Sequence, residues 1–292
     1  MSGAQAMRQG ARPWPAPAKL NLFLHIVGRR PDGYHELQTC FQFVDLCDDI
    51  YFQVRLDGQI RRLRGAAGVA EESDLCVRAA RALQAAAQCA LGVDIDVVKR
   101  IPMGAGLGGG SSDAATCLVA LNRLWGIDWP AAKLAALGLK LGADVPVFVH
   151  GRAAWAEGVG ERLTALTGDQ APCECNYLIL KPKVFVSTAD VFQDPELTRN
   201  SPPITIHGFL ESGGRNDCLG VVRRRYPEVA RALDWLSRFG QPRLTGTGAC
   251  VFLALESIDS GREITRELPP GLDAFLVRGL NGSPLLDRLS AG

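Results

Sequence analysis

Net charge is almost absent from this chain of 292 residues: 32 Lys plus Arg stand against 31 Asp plus Glu, leaving +1. A dedicated nucleic-acid binder normally carries a clear basic excess, so the balance argues against one. Long apolar runs are missing too. No stretch approaches the roughly 18 consecutive apolar residues that span a bilayer. Met1 to Ala18 holds Pro13, Pro15 and Pro17 but no apolar h-region, so it is no secretory signal and reads as a short flexible lead-in. Cysteine pairs at metal or redox spacing are lacking. The nine cysteines scatter from Cys40 to Cys250, and only Cys173 and Cys175 lie close, separated by one residue rather than two. They read as buried free thiols of a cytoplasmic protein. His25, His150 and His207 are too dispersed for a metal cluster, and no repeat or low-complexity tract occurs. What is present is ample core material: 47% hydrophobic and 22% charged residues exclude disorder as the main state.

From Lys19 the sequence alternates. Leu20, Leu22, Leu24 and Ile26 face one way, and Lys19, Asn21, Phe23 and His25 the other. That period predicts a strand with Lys19 and Asn21 on one face. Gly28 to Gly33 reads as a polar loop. Residues 71–90 read as a helix capped by Ser73 or Asp74, Val93 to Val98 as a strand, and Lys99 to Gly110 as a glycine-rich connection. Helices are predicted from about Ser112 to Trp125, from about Pro130 to Leu141 with a left-handed cap at Gly142, and from about Pro227 to Phe239. Val145 to Val149 and Tyr177 to Leu180 read as strands. The tail reads strand (Leu244, Ala249 to Leu255), helix (Gly261 to Leu268), strand (Ala274 to Val277). Mixed strands and helices predict an α+β protein. A domain boundary is expected near residues 158–170, dividing the chain into 1–162 and 163–292.

The sharpest feature is Pro102-Met103-Gly104-Ala105-Gly106-Leu107-Gly108-Gly109-Gly110-Ser111-Ser112, with five glycines in seven positions before a helix start. Such a segment lets backbone N–H groups turn inward onto an anion, and the helix N-terminus adds partial positive charge. Ser111 and Ser112 can cap the helix, donate to phosphate oxygens or sit near a metal. A loop bent only for packing would not need glycines this dense. A Walker-type loop fails, because Gly110 is followed by Ser111 with no lysine. Gly104, Gly106 and Gly109 match the dinucleotide fingerprint, but the confirming acid after a strand is missing. Asp128, the nearest, sits in a turn. The His-Arg-Asp and Asp-Phe-Gly motifs of protein kinases do not occur.

Three motifs in order resemble those of the GHMP small-molecule kinases: residues 15–22 (Pro-Ala-Pro-Ala-Lys-Leu-Asn-Leu), the glycine-serine loop at 102–112, and Leu244-Thr245-Gly246-Thr247-Gly248-Ala249. Pro31-Asp32-Gly33-Tyr34-His35 and Leu141 to Phe148 bring the resemblance closer to members acting on a cytidine-diphosphate-linked methylerythritol in the non-mevalonate isoprenoid route. It runs from about Trp14 to Leu289. The resemblance implies a two-domain α+β fold with the active site in the interdomain cleft. The N-terminal domain would be ribosomal-protein-like with a left-handed β-α-β crossover, and the C-terminal domain ferredoxin-like. It also implies an ATP- and Mg²⁺-dependent kinase, with no membrane, nucleic-acid or obligate protein partner.

By the same resemblance, Asp144 is the base for the acceptor hydroxyl. Lys19 is a cation that offsets charge on Asp144 and on the transferring phosphoryl group. Only six of the 32 basic residues are lysines, so a lysine on this strand hints that a point charge is wanted. Lys99 and residues 102–112 are expected at ATP. Asn21, Tyr34, His35, Thr188, Phe192, Gly246, Thr247 and Gly248 are expected at the acceptor, an aromatic stacking on the pyrimidine and a histidine meeting its polar edge. No carboxylate pair marks itself as a Mg²⁺ cage. Another GHMP kinase, for mevalonate, homoserine or a sugar, and an RNA-binding module of similar N-terminal fold are the alternatives.

Overall fold

The computed structural model describes residues 7, 8 and 10–291. The alternation at Lys19 belongs to a longer strand, β1 (Trp14–Arg29), antiparallel to β2 (His35–Arg55). Pro15 and Pro17 therefore lie in a strand, paired with Asp49 and Cys47. They are tolerated because, among the described residues, β2 is the one strand that pairs with this part of β1, so an edge takes their missing N–H groups. Part of the expected flexible lead-in is thus ordered, while residues 1–6 and 9 lie outside the described residues.

Ten strands form one sheet. Its main path runs from β3 (Ile60–Arg64) through β4 (Gly92–Val98), β2, β10 (Leu272–Leu280), β7 (Asn176–Pro182) and β9 (Val251–Leu255) to β8 (Arg243–Leu244). β5 (Ala154–Gly158) adds to β2, and β6 (Arg162–Ala165) to β5. β3 and β4 are parallel neighbours joined through α1 (Leu75–Ala87), whose N-cap Asp74 accepts from the Cys76 N–H. β10 ties the two ends of the chain together, pairing with β7 over Leu272–Arg278 and with β2 at Gly279 and Leu280. One apolar core packs α1, α2 (Gly109–Leu124), α3 (Ala131–Leu139) and α4 (Val145–His150) on the first strands. A second gathers around β7 and β9 with α8 (Pro227–Leu236), and includes Leu24 and Ile26 from β1. β1 thus reaches both cores, with the glycine segments between.

Several expectations are corrected. Val145 to Val149 is helix, not strand. All five residues are buried, so the apolar run cannot distinguish a strand from a buried helix. Pro146 in the first turn and Gly151 at φ +64° as C-cap settle it. α2 begins at Gly109, three residues early, with Gly108 as N-cap, so neither Ser111 nor Ser112 caps it. α3 stops at Leu139, and Gly142 is not left-handed. The cysteines are free, but only Cys40, Cys76, Cys117, Cys218 and Cys250 are buried, and Cys173 is exposed. Sequence patterning missed β2, β3, β5, β6, α5 (Thr188–Gln193), α6 (Ile206–Ser212), α7 (Leu219–Arg225) and α10 (Pro284–Ser290). β2 is 21 residues long but begins in a mixed run without clean alternation; the others are short, and most lack a full amphipathic period.

Candidate active site

Lys19 is the centre of the site. Its ammonium donates to the Asn21 side-chain oxygen at 2.5 Å and to the Gly106 carbonyl at 3.1 Å, and lies 3.5 Å from Asp144 Oδ2. The Lys19 side chain is 4% exposed and that of Asp144 34%, so the cation is fixed from behind while the carboxylate faces open space. Lys19 and Asn21 share a strand face as the alternation predicts. Asp144 stands at the turn into α4 with backbone φ −82° and ψ −13°, and its side chain makes no cap bond, which leaves it to the cavity. Asn21 Nδ2 also donates to Thr39 Oγ1 at 3.0 Å, so this carboxamide orients the ammonium.

The glycine segment and the late glycine motif interlock. Cys250 N–H donates to the Ala105 carbonyl at 3.1 Å and Thr245 Oγ1 to the Gly106 carbonyl at 3.3 Å. A Cβ on Gly106 would sit 2.4 Å from the Thr245 carbonyl oxygen, and one on Gly108 2.9 Å from the Phe148 ring and 3.1 Å from Lys19 Cε. Only glycine allows this approach, and Gly106 and Gly108 also hold φ at +74° and +72°. Because the first backbone bond of α2 is Ser112 N–H to Gly108 O, the N–H groups of Gly109, Gly110 and Ser111 have no intrahelical acceptor. Three free donors at the start of a 16-residue helix suit a phosphate.

A cavity of about 300 Å³ brings together Lys19, Asn21, Gly106, Gly108, Ser111, Asp144, Thr188, Phe192, Gly246 and Thr247 from the expected set. Thr188 and Thr247 touch through their hydroxyls at 2.9 Å. His35 stacks on Phe192 with centroids 5.1 Å apart. Burial, then the nearby Arg199 and Arg29, lower the His35 pKa below the ordinary imidazole value. His35 reaches the cavity only through Phe192 and does not line it, and neither do the remaining expected residues. Tyr34 is 65% exposed on the hairpin. Pro102, Met103 and Gly104 lie farther along the loop, and Ala105, Leu107 and Ser112 are buried. Gly109 and Gly110 open α2 beside it, and Gly248 packs behind it near Leu244 and Val222. Lys99 is not a free cation, because Asp48 and Asp113 (Oδ2 at 2.6 Å) both accept from its ammonium. Burial pushes the Asp113 carboxyl up, against the pull of Lys99 and with the added charge of Asp48.

Thr39, Thr245 and Asn216 were not foreseen. Asn216 donates to the carbonyls of Leu244 and Gly246 at 2.9 and 2.8 Å, holding the late glycine turn. Thr245 lies inside the late glycine motif, but no local pattern marks Thr39 or Asn216, and each of the three acts across more than 15 residues of sequence. A larger cleft of about 1070 Å³, lined in part by Cys173, Cys175, Tyr177, Phe252 and Glu263, lies elsewhere. We assign the site to the smaller cavity, because that one combines a cation, a carboxylate and glycine backbone.

Residues 74–152 match the GHMP kinases N terminal domain, and residues 205–270 match the GHMP kinases C terminal domain. A 4-diphosphocytidyl-2-C-methyl-D-erythritol kinase of Pseudomonas aeruginosa (strain UCBPP-PA14) is 56% identical over 275 residues, covering 94% of this chain and 96% of its own. One from Pseudomonas savastanoi pv. phaseolicola is 53% identical, covering 99% of each. A crystal structure of 4-(cytidine 5'-diphospho)-2C-methyl-D-erythritol kinase superposes with TM-score 0.80 at 34% identity, over 92% of this chain and 99% of that one. The mevalonate kinase of Methanococcus jannaschii shares the fold at TM-score 0.68 and 17% identity, covering 94% of this chain and all of its own. With relatives this similar over nearly its whole length, the chain belongs to the 4-diphosphocytidyl-2-C-methyl-D-erythritol kinases of the GHMP superfamily.

Proposed function

We propose that this chain transfers the γ-phosphoryl group of ATP to a hydroxyl on the erythritol portion of 4-diphosphocytidyl-2-C-methyl-D-erythritol. The observation that carries the reading is the Lys19–Asp144 pair, 3.5 Å apart at a cavity walled by Gly106 and Gly108. The polyphosphate lies along residues 102–112, on the free N–H groups at the start of α2. Asp144 accepts the proton of the acceptor hydroxyl as its oxygen attacks phosphorus, and ADP leaves. Lys19, held by Asn21 and the Gly106 carbonyl, keeps its charge beside the transferring group without having to reorganise. The His35–Phe192 pair and the Thr188–Thr247 contact receive the cytidine end and its diphosphate. The expected division at 162/163 falls within β6, and the cavity takes Lys19, Asn21, Gly106 and Asp144 from before it and Thr188, Phe192, Gly246 and Thr247 from after it.

Among the described residues, no cluster of three or more His, Cys, Asp or Glu could cage a metal. Mg²⁺ nevertheless fits as an ion carried on phosphate oxygens, which needs only one or two protein donors. Ser111, which lines the cavity in the first turn of α2, would hold it. When bound it supplies neutralisation of phosphate charge. An enzyme-coupled ADP-release assay tests the reading, offering the cytidine-linked acceptor beside mevalonate, homoserine and galactose. Turnover with the first alone is expected; turnover with another alone would assign the chain a different acceptor. Among the described residues, no helix is long and apolar enough to cross a membrane.

A further inference from the structure

Arg199 has an unusual set of partners. Its Nε–H donates to His35 Nε2 at 3.1 Å, Nη2 to the carbonyls of Phe192 (3.0 Å) and Asp194 (2.7 Å), and Nη1 to the carbonyl of Leu197 (3.1 Å). Among the described residues no carboxylate lies within ion-pair distance of it. The guanidinium is therefore spent on one imidazole nitrogen and three carbonyls. Asp194, whose carbonyl it holds, is anchored in turn by Arg224 at 2.7 Å and Arg225 at 3.4 Å. The cluster bridges the β2 hairpin, which carries His35, to the end of α5, which carries Phe192.

We propose that Arg199 is a positioning residue: it holds His35 as the Nδ1–H tautomer and clamps that ring against Phe192 before substrate arrives. The chemistry leaves little choice of tautomer. A guanidinium has only donors and does not deprotonate in proteins, so the nitrogen it addresses must be the acceptor. The imidazole proton then sits on Nδ1, the reverse of the form a free histidine side chain prefers. Nδ1–H has no hydrogen-bond partner among the described residues, which leaves one donor free for an acceptor atom of a pyrimidine ring. The charged groups acting on His35 are Arg199, from the segment after α5, and Arg29, from β1; both oppose a second proton on the ring. A stack ordered in advance spares the substrate the cost of ordering it.

The proposal rests on the reading that the His35–Phe192 side receives the cytidine end. The test separates the two. Long-range ¹H–¹⁵N spectra of histidine-labelled protein resolve four imidazoles at most, with His35→Gln identifying the signal. At pH 7 the parent is expected to show His35 as Nδ1–H; Arg199→Gln should shift it towards Nε2–H with a raised pKa, and Arg199→Lys, which keeps a donor-only cation, should shift it less. KM for the cytidine-linked substrate should rise about tenfold or more in Arg199→Gln, while KM for ATP stays put. An Nε2–H ring in the parent, or a tautomer that ignores both substitutions, overturns the proposal whatever the substrate. If His35→Gln raises that KM and Arg199→Gln does not, Arg199 has no positioning role and the reading stands. If neither raises it, the reading fails and takes the proposal with it.

Discussion

Gly106→Ala probes whether the two glycine segments truly interlock. Gly106 holds φ at +74°, which costs an L-residue about 1 kcal/mol. The added Cβ would lie 2.4 Å from the Thr245 carbonyl oxygen and 3.0 Å from that of Gly248. Both are backbone atoms and cannot swing aside. Relief requires the loop to part from residues 245–250, breaking Ala249 N–H to Gly104 O (3.4 Å) and Cys250 N–H to Ala105 O (3.1 Å). At about 1 kcal/mol per bond, and with the conformational strain, the loss comes to about 3 kcal/mol. For a large domain that lowers Tm by about 6–12 °C. Gly126→Ala is the control, with φ +65° and nothing within 4 Å of the new Cβ. It should lose about 1 kcal/mol and little else. Calorimetry on both variants reads the gap directly. Gly106→Ala should also lose phosphoryl transfer, because its carbonyl no longer fixes the Lys19 ammonium. Equal melting temperatures for the two variants, with activity retained in both, would refute the interlocking.

Asp144→Asn keeps the shape and removes the base, so kcat should fall by about 10²–10⁴ with both KM values little changed; a parental kcat would remove Asp144 from that role. Lys99→Met strands the carboxylates of Asp48 and Asp113 without their cation, and should cost about 3–5 kcal/mol in urea unfolding. Adding Asp113→Asn should recover part of that loss; a Lys99→Met protein as stable as the parent would contradict the pairing. His25 is buried with both ring nitrogens unpartnered, and burial lowers its pKa below the ordinary 6.5, with Asp217 opposing and Arg215 assisting. An unfolded imidazole takes up a proton below about pH 6.5 and the folded one resists, so stability should decline as pH falls through that value. His25→Phe should make the decline shallower, gaining about 1 kcal/mol more at pH 5.5 than at pH 8; a slope unchanged from the parent would show that His25 does not set it.

The parts of the fold that could be read in advance are those whose signal is local. Lys19 and Asn21 were legible as neighbours because a strand repeats every two residues, whatever it pairs with. Asp74 was legible as a cap because its oxygen needs only the N–H two residues on. The glycine loop announced itself by composition. Where the signal is not local, the reading failed. Val145 to Val149 is apolar on every side, and α4 follows from being buried against α2 and α3. Lys99 is expected at ATP, but folding brings Asp48 from β2 and Asp113 from α2 onto its ammonium.

Residue chemistry and short-range spacing thus specified a glycine-rich loop able to take an anion, a lysine-bearing strand and an aspartate between two apolar segments. Their meeting could not be specified that way, since 125 positions separate Lys19 from Asp144 and no periodicity spans such a gap. The turn into α4 aims the carboxylate, β1 delivers the ammonium, and the close approach of Gly106 to Thr245 sets the wall between them. Arg199 shows the same division. Nothing in Leu197-Thr198-Arg199-Asn200 points to a histidine 164 residues earlier, and it is the packing of the hairpin against α5 that gives its guanidinium an imidazole to hold.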